Sequence, residues 1–248
     1  MSWKHLCRLV RKFNVVIVAI SESFSEVSKM DQLAYLLGLS NHCSNAEMGG
    51  KLWVFWSESY EFEVLCMSNQ MITGWVRNGV ENFLVTFVFA KCNPVERRGL
   101  WDSLKATCIE GPWLVVGDFN IIRDDQERVG GNPRPLNSMA EFNECLDSCG
   151  LLDLTVDGRR MSWCNGHNGC THSWARLDLA LINSSFGISY PSAFFEYLTR
   201  KHSDHSPMLL RFKRSEVIYG PHPFHFQNMW CNNASFKPFV EAIWRELL

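Results

Sequence analysis

The sequence predicts an α/β fold of the α+β type, built from helices and partly antiparallel sheets. Stretches with the β-branched and aromatic residues of strands alternate irregularly with amphipathic helical stretches, and there is no internal repeat. The 248 residues are 46% hydrophobic, which suits one sizeable core and excludes a disordered or collagen-like chain. Lysine and arginine number 24 against 26 acidic residues, so a strongly basic nucleic-acid coat protein is excluded and a local basic patch stays open.

The first half of the chain predicts one helix and then a series of strands. Apolar residues recur at helical spacing over residues 3–13, and the β-branched run 15–20 predicts a strand buried on both faces. After the Gly49-Gly50 turn, stretches rich in aromatic or β-branched residues predict strands over 51–56, 61–67, 71–76 and 82–90.

Helix start and stop signals organise the second half of the chain. Asn93-Pro94 predicts the start of one helix, and the capping box Ser138–Glu141 predicts another that ends at Gly150. The polar, Gly- and Pro-rich residues 121–137 indicate a surface loop. Further strands are predicted over 113–116, 161–164, 174–182 and 207–212, and a helical pattern over 236–248.

The ten cysteines form no CxxC pair and, with no visible secretory signal, predict reduced thiols of an intracellular protein. One cluster brings four potential zinc ligands together within nine positions: Cys164, His167, Cys170 and His172. Its spacing is tighter than that of common zinc frameworks, and its glycines equally predict a hairpin turn, so both interpretations stay open. No apolar run approaches the ~20 residues that span a bilayer, so no membrane association is predicted.

Acidic residues follow or enter apolar strands at four places. They are Glu22, the pair Asp118 and Asn120, Asp178, and Asp204 beside His205. Three of these places have an ordinary explanation: a turn at Asp118 and Asn120, a capped loop at Asp204 and His205, and a surface acid at Glu22. Asp178 stands in an alternating strand and would need a partner. Together they indicate a divalent-metal site, because carboxylates at buried strand ends need compensation and Mg²⁺ binds through carboxylates and substrate phosphates. A carboxylate such as Asp178 also suits an imidazole partner.

The order of these segments resembles the endonuclease/exonuclease/phosphatase superfamily, which includes apurinic endonucleases, pancreatic-type deoxyribonucleases and inositol-polyphosphate phosphatases. The segments that carry the resemblance are Ser21–Ser23, Gly49-Gly50, Val115–Asn120, Arg176–Asp178 and Ser203–His205. More narrowly, residues 127–131, 161–165 and 223–230 are similar to the endonuclease domain of plant non-LTR (LINE-type) retrotransposon polyproteins. The resemblance runs from Leu6 to Trp244.

The resemblance implies a four-layer α/β/β/α sandwich with two central mixed sheets and an active site at one sheet edge. It also implies a role for each matching residue. Asp118 would activate the attacking water, Asn120 would orient it, Asp178 would hold His205 against the scissile phosphate, Glu22 and Asp204 would bind metal, and Asn165 and Arg176 would bind substrate. The implied reaction is nicking of DNA that leaves a 3′-hydroxyl, with Mg²⁺ as cofactor and Mn²⁺ as the alternative ion.

Three departures from the family pattern bear on activity. The chain begins at the opening helix, so the family's first strand and its active-site Asn are missing, which implies truncation at the N-terminus. Phe89 stands where the family usually has Tyr, and Leu179 stands where it has Arg. Missing active-site hydrogen bonds can each cost ~10²-fold or more in rate. An active endonuclease, a catalytically dead remnant with at most weak DNA binding, and a small-molecule phosphatase of the same superfamily therefore all stay open.

The resemblance also divides the chain. Residues 1–212 are the expected catalytic domain, and residues 213–248 are the expected linker toward a reverse transcriptase that is absent here. DNA is the expected partner, and the nucleus is the expected location within the cell.

Overall fold

The computed structural model describes residues 2–23, 25–131, 135–167, 169–201, 203–212 and 238 of the chain. The helices are α1 (Trp3–Phe13), α2 (Met30–Leu37), α3 (Pro94–Thr107), α4 (Leu136–Cys149) and α5 (Ser184–Ser189). The first strands are β1 (Ile17–Ile20), β2 (Asn41–Ser44), β3 (Trp53–Trp56), β4 (Glu61–Met67), β5 (Met71–Arg77), β6 (Asn82–Phe89) and β7 (Trp113–Asp118). The later strands are β8 (Arg128–Val129), β9 (Leu152–Asp153), β10 (Val156–Asp157), β11 (Trp163–Cys164), β12 (Trp174–Ala175), β13 (Asp178–Ile182), β14 (Phe194–Tyr197) and β15 (Met208–Arg211).

A six-stranded sheet in the order β4-β5-β6-β7-β13-β9 forms the centre of the molecule. Neighbouring strands within this sheet pair antiparallel, except that β6 and β7 pair parallel, so the sheet is mixed. Three smaller sheets accompany it, in the orders β1-β3-β2, β10-β14-β15 and β11-β12-β8.

Three apolar clusters show that the elements stack in four layers. Helices α3 and α4 pack through Leu100 and Phe142 on one face of the six-stranded sheet. The other face of that sheet, including Phe87, packs against the sheets that contain β3 and β14. Helices α1 and α2 cover the outer face of the β1-β3-β2 sheet. Because successive strand residues point to opposite faces, β6 serves two clusters, with Leu84 in the first and Phe83 in the second.

The predicted four-layer sandwich is confirmed, with one difference in its second sheet. That layer consists of two separate three-stranded sheets, β1-β3-β2 and β10-β14-β15, because no described strand lies between β1 and β15. The compact unit that contains all of these elements is Met1–Arg214. The expected linker 213–248 and its helical pattern lie outside the described residues, apart from residue 238.

Most predicted elements are present, and their start signals explain where several begin. The Asn93 side chain accepts a hydrogen bond from the Val95 backbone N–H at 2.9 Å and caps α3 as expected. The capping-box prediction at Ser138 was wrong. Helix α4 begins at Leu136 after Pro135, and Ser138 is buried inside its first turn.

Six short elements had too weak a periodicity to be predicted: α2, β2, β9, β10, α5 and β14. The predicted strand 174–182 is interrupted at residues 176–177, so that β12 and β13 belong to different sheets. The loop predicted over 121–137 contains the short strand β8 and a 3-10 turn over Asp125–Glu127. No helix among the described residues is long and apolar enough to cross a membrane.

Candidate active site

The site forms where β7 ends and its antiparallel partner β13 begins. The strand register places Asp118 directly opposite Asp178, and the parallel strand β6 places Phe89 beside Asp118. Gly117 allows this approach, because its φ is +145° and a Cβ there would lie 2.0 Å from the Val88 carbonyl oxygen. The two carboxylates predicted from separate segments therefore share one end of the sheet.

Asn120 holds both oxygens of the Asp118 carboxylate. The Asn120 backbone N–H donates to Asp118 Oδ1 at 2.9 Å, and its side-chain Nδ2 donates to Asp118 Oδ2 at 3.0 Å. Nδ2 also donates to the Ala90 carbonyl at 2.8 Å. Asn120 has φ +52°, a left-handed conformation that Asn tolerates better than most residues. The strained turn thus serves to orient a carboxylate that is only 4% exposed.

Arg97 supports this turn from within the protein. Its side chain on α3 is buried, and its Nη1 donates to the carbonyl oxygens of Asn120 at 2.9 Å, Lys91 at 3.1 Å and Cys92 at 3.4 Å. A buried cation that bridges two loops in this way stabilises the backbone on which Asn120 stands.

His205 is held by Asp178. Its Nδ1 lies 2.8 Å from Asp178 Oδ2, and because a carboxylate is an acceptor, Nδ1 carries the proton of this bond. Its Nε2 then points toward Asp118, with 3.9 Å between Nε2 and Asp118 Oδ2, too long for a direct hydrogen bond. The imidazole therefore has one nitrogen anchored and one nitrogen directed at the space beside the second carboxylate.

Two further residues position Asp178. The Ser162 hydroxyl oxygen accepts the backbone N–H groups of Leu177 and Asp178, each at 3.0 Å. The Tyr197 hydroxyl donates to the Asp178 carbonyl. Ser162 also connects to the His205 loop, because the Ser206 N–H donates to its carbonyl at 2.7 Å.

The pKa values of the central pair are strongly shifted. Burial, reinforced by the neighbouring charge of Asp178, raises the pKa of Asp118 to about 7. Burial alone would lower the pKa of His205, but its hydrogen bond to Asp178 and the surrounding carboxylates raise it to about 9. At neutral pH the site therefore holds an imidazolium beside a carboxyl group that is poised to exchange a proton.

Glu22 and Asp204 border the same space. Together with Asp118, Asp178 and His205 they line one cavity of about 750 Å³. The Trp163 indole N–H donates to Asp204 Oδ2 at 3.1 Å, which orients that carboxylate. Glu22 follows β1 with φ +55°. Six of the eight predicted site residues, Glu22, Asp118, Asn120, Asp178, Asp204 and His205, thus converge in one region.

The two predicted substrate-binding residues do not line this cavity. Asn165 is engaged within its own loop, where its Nδ2 donates to the Thr171 carbonyl at 2.8 Å and its Oδ1 accepts the Ser173 N–H at 3.0 Å. Arg176 forms ion pairs with Glu127 and Asp153, each at 2.8 Å. Both residues shape the loops around the site through these internal bonds.

The Cys/His cluster is partly assembled. Cys164 Sγ lies 3.1 Å from His172 Nε2, and Cys164 is buried. Within the described residues, the one group of three or more His, Cys, Asp or Glu side chains that could hold a metal is Asp118, Asp178 and His205. The zinc interpretation therefore stays a prediction.

That acidic group fits a hard divalent cation. Its three ligand atoms lie within 4.8 Å of one another. Two of them are carboxylate oxygens, and burial together with the neighbouring charge of Asp178 raises the pKa of Asp118, so a bound cation would favour its ionised form. Glu22 and Asp204, the residues predicted to bind metal, are not in this group and lie at the rim of the same cavity.

Sequence reasoning missed Arg97, Ser162 and Tyr197 as supporting residues. No sequence signal separates Arg97 from its neighbour Arg98. Both are arginines of α3, but Arg97 is buried whereas Arg98 faces outward and pairs with Glu141. Ser162 and Tyr197 act through backbone groups of residues that are distant in sequence, so only the folded chain shows their role.

No family model and no curated protein matches the chain, whereas solved structures do. The endonuclease domain of TRAS1, a telomere-specific non-LTR retrotransposon, superposes with a TM-score of 0.65 at 12% identity, covering 86% of this chain and 93% of that one. This protein has the endonuclease/exonuclease/phosphatase fold.

Other structures of the same fold are similar to the chain at comparable levels. Sphingomyelinase C from Streptomyces griseocarneus gives a TM-score of 0.55 at 12% identity and covers 85% of this chain and 89% of that one. A double mutant of the Staphylococcus aureus beta toxin, described with bound magnesium ions, gives a TM-score of 0.54 at 13% identity and covers 85% of this chain and 87% of that one.

Proposed function

We propose that the protein is a Mg²⁺-dependent phosphodiester hydrolase that nicks DNA and leaves a 3′-hydroxyl. One observation carries this proposal: Asp118, held by Asn120, and His205, held by Asp178, lie on opposite sides of one small space at a cavity mouth. Water is a weak nucleophile, so the hydrolysis of a phosphodiester depends on positioning and on neutralisation of phosphate charge.

The residues divide these tasks between them. Asp118 accepts a proton from the attacking water, and its pKa of about 7 suits a general base that works near neutral pH. Asn120 keeps the Asp118 carboxylate in one orientation. His205, protonated at neutral pH, presents Nε2–H to a phosphate oxygen and stabilises the charge that develops there. Asp178 maintains that orientation of the imidazole.

Mg²⁺ would be held in this cavity by Glu22 and Asp204, beside the carboxylates of Asp118 and Asp178, and Mn²⁺ is the alternative ion. When bound, the ion would neutralise the phosphate and polarise it as a Lewis acid. The chain departs from the family pattern at Phe89, whose ring lacks a hydroxyl beside Asp118. We therefore expect a slow enzyme.

We also propose a retrotransposon as the source of the chain. The similarity to a non-LTR retrotransposon endonuclease domain supports a source in a polyprotein of that kind. The motif resemblance narrows the proposed source to a plant LINE-type polyprotein, in which a reverse transcriptase would use the 3′-hydroxyl as primer. Its site of action would then be the nucleus.

Nicking of supercoiled plasmid in the presence of Mg²⁺ tests the proposal. We expect wild type and the exposed-residue control Asp147→Asn to convert plasmid to the open circle, and Asp118→Asn and His205→Gln each to lose at least 10²-fold in rate. DNA polymerase should extend the nicked product without prior phosphatase treatment, which reports a free 3′-hydroxyl.

The same preparations distinguish the two other candidates. Equal inactivity of wild type and Asp118→Asn would support a catalytically dead remnant. Hydrolysis of a small phosphomonoester by wild type, with intact plasmid, would support a phosphatase instead.

A further inference from the structure

Helix α1 carries four cations on its outer side. All of its lysine and arginine side chains are exposed, and the helix contains no acidic residue. They are Lys4, Arg8, Arg11 and Lys12, which we call the basic face. Residues spaced by i, i+4, i+7 and i+8 lie on one side of a helix, here within an arc of roughly 100°. The basic face is therefore one continuous region of positive charge.

The opposite side of α1 is apolar and packs inward. Val10 is buried in the apolar cluster that joins α1 and α2 to the β1-β3-β2 sheet, and Trp3 and Leu6 pack against that cluster. The basic face thus points away from the core. None of its four side chains lines the cavity that contains Glu22 and His205, so this surface is separate from the candidate active site.

Nothing in the described part of the chain neutralises the basic face. None of its four side chains forms an ion pair with a carboxylate there. Lys12 Nζ lies 4.8 Å from the centroid of the Phe13 ring, a contact that leaves its charge in place. Six arginines elsewhere do pair with a carboxylate: Arg77, Arg98, Arg123, Arg128, Arg176 and Arg211. The cations of α1 therefore concentrate positive charge at the surface.

The rest of the chain offers no matching negative segment. The protein has a formal net charge of −2, so the basic face is not part of a generally basic surface. Residues 213–248 contain four basic and three acidic residues, so their composition is not that of a polyanion. The charge of the basic face therefore favours a separate, strongly negative partner.

The spacing of the basic face suits a nucleic-acid backbone. Lys4 and Lys12 lie about 12 Å apart along the helix axis, at 1.5 Å per residue. Four charges over that length amount to one per roughly 3–4 Å, close to the one phosphate per 3.4 Å of a DNA strand. A lipid surface fits less well, because helices that lie in a membrane interface insert their apolar side, and the apolar side of α1 packs against the protein.

We propose that the basic face of α1 is a docking surface for the phosphate backbone of duplex DNA. Contacts to phosphates carry no base information, so this docking is independent of DNA sequence. The choice of DNA rests on the proposed function, in which DNA is the substrate, and the basic face itself takes no part in the chemistry. Each phosphate contact releases condensed counterions, so docking through four cations depends steeply on salt.

Fluorescence anisotropy with a labelled DNA duplex in EDTA measures docking without strand cleavage. We expect Lys4→Gln/Arg11→Gln to weaken binding at least tenfold. The slope of the logarithm of the binding constant against the logarithm of salt concentration, from about 50 to 200 mM KCl, should become shallower by about 2, since each phosphate contact contributes about 0.9.

A matched variant on α3 controls for net charge. Arg98→Gln/Lys105→Gln removes one exposed arginine and one exposed lysine at the same seven-residue spacing, and it should leave the salt slope unchanged. Arg8→Lys/Arg11→Lys keeps the charge of the basic face and should also retain the slope. If Lys4→Gln/Arg11→Gln fails to fold by thermal melting, Arg8→Gln/Lys12→Gln replaces it, because it removes the same charge from the same face.

Four results would overturn the proposal: no salt-dependent binding of the duplex by wild type, an unchanged slope in the α1 variant, equal losses in the α1 and α3 variants, or a loss confined to phosphatidylserine vesicles. Plasmid nicking separates this proposal from the proposed function. A wild type that binds the duplex with the expected slope and nicks no plasmid retains the docking surface and loses the reaction. A wild type that nicks plasmid, while the α1 variant keeps the full slope, loses the docking surface alone.

Discussion

Asp118 and Asp178 stand opposite each other on neighbouring strands, where like charges cost free energy. The protein compensates with His205 between them and with Asn120 hydrogen bonds to Asp118. A site that retains this repulsion has a ready affinity for a cation, since bound positive charge relieves it. Individual residues outside the cavity then determine how rigidly the pair is presented.

Arg97 provides a direct test of that support. Arg97→Met should destabilise the protein by roughly 2–4 kcal/mol, because three carbonyl oxygens lose a buried charged donor. It should also slow nicking at least tenfold by loosening Asn120. Urea denaturation and plasmid nicking measure the two effects. The neighbouring variant Arg98→Met should lose far less stability, because its ion pair with Glu141 is exposed, and should leave nicking unchanged. A similar loss in the two variants would contradict the assignment.

Phe89 allows a gain of function to be predicted. Its backbone lies beside Asp118 in the strand register, and the family pattern has a Tyr there. If the proposed function is right, Phe89→Tyr should raise the Mg²⁺-dependent nicking rate about tenfold or more by restoring a donor near the phosphate. The gain should vanish when Asp118→Asn is added, and an unchanged rate in Phe89→Tyr would count against the inferred position of the substrate.

At the scale of elements, the geometry of β7 matters most. Its residues Trp113–Val115 are buried among apolar neighbours, and its last residues must approach β6 closely enough to place Asp118 at the end of the strand. Gly117 makes that approach feasible through its positive φ and its lack of a Cβ. The strand thus joins a buried apolar core to a constrained end at the candidate active site.

Two glycine substitutions should have opposite effects on stability. Gly117→Ala would place a Cβ 2.0 Å from the Val88 carbonyl oxygen and should destabilise by roughly 3 kcal/mol or more. Gly99→Ala on α3 meets nothing within 4 Å and should stabilise by about 1 kcal/mol, since Ala is the better helix former. Chemical denaturation of both variants checks the pair, and a tolerated Gly117→Ala would refute the close packing of β6 against β7.

At the scale of the whole molecule, the buried titratable groups of the site make the stability of the four-layer fold depend on pH. The shifted pKa values couple protonation to folding. Asp118 has a folded pKa of about 7 against an ordinary value of 3.8, so the folded protein retains this proton after the unfolded chain has lost it. The pKa of His205 is likewise raised on folding, from its ordinary value of 6.5 to about 9, so the folded protein also retains this proton to higher pH. Both groups therefore contribute stability at low pH that is lost as the pH rises.

This coupling predicts a pH-dependent difference between variants. In metal-free protein, the free energy of unfolding of wild type minus that of Asp118→Asn should fall as the pH rises from about 4 to 7. Urea denaturation across that pH range measures this difference in the free energy of unfolding. The corresponding difference between wild type and the control Asp147→Asn should not change with pH. Added Mg²⁺ should stabilise wild type more at higher pH, because binding needs the deprotonated carboxylate. A pH-independent difference for Asp118→Asn would contradict the burial of this group.

The sequence by itself determined the longer strands, the capped helix α3 and the acidic residues at strand ends, because these depend on local periodicity and on chemistry carried by adjacent residues. It predicted the convergence of Asp118, Asp178 and His205 only through a resemblance of motif order. The tertiary structure decided which polar groups meet. It brought Arg97, Ser162 and Tyr197 to the site and directed Asn165 and Arg176 into internal bonds. These outcomes depend on strand register and on contacts between segments far apart in sequence, and no local pattern records either of them.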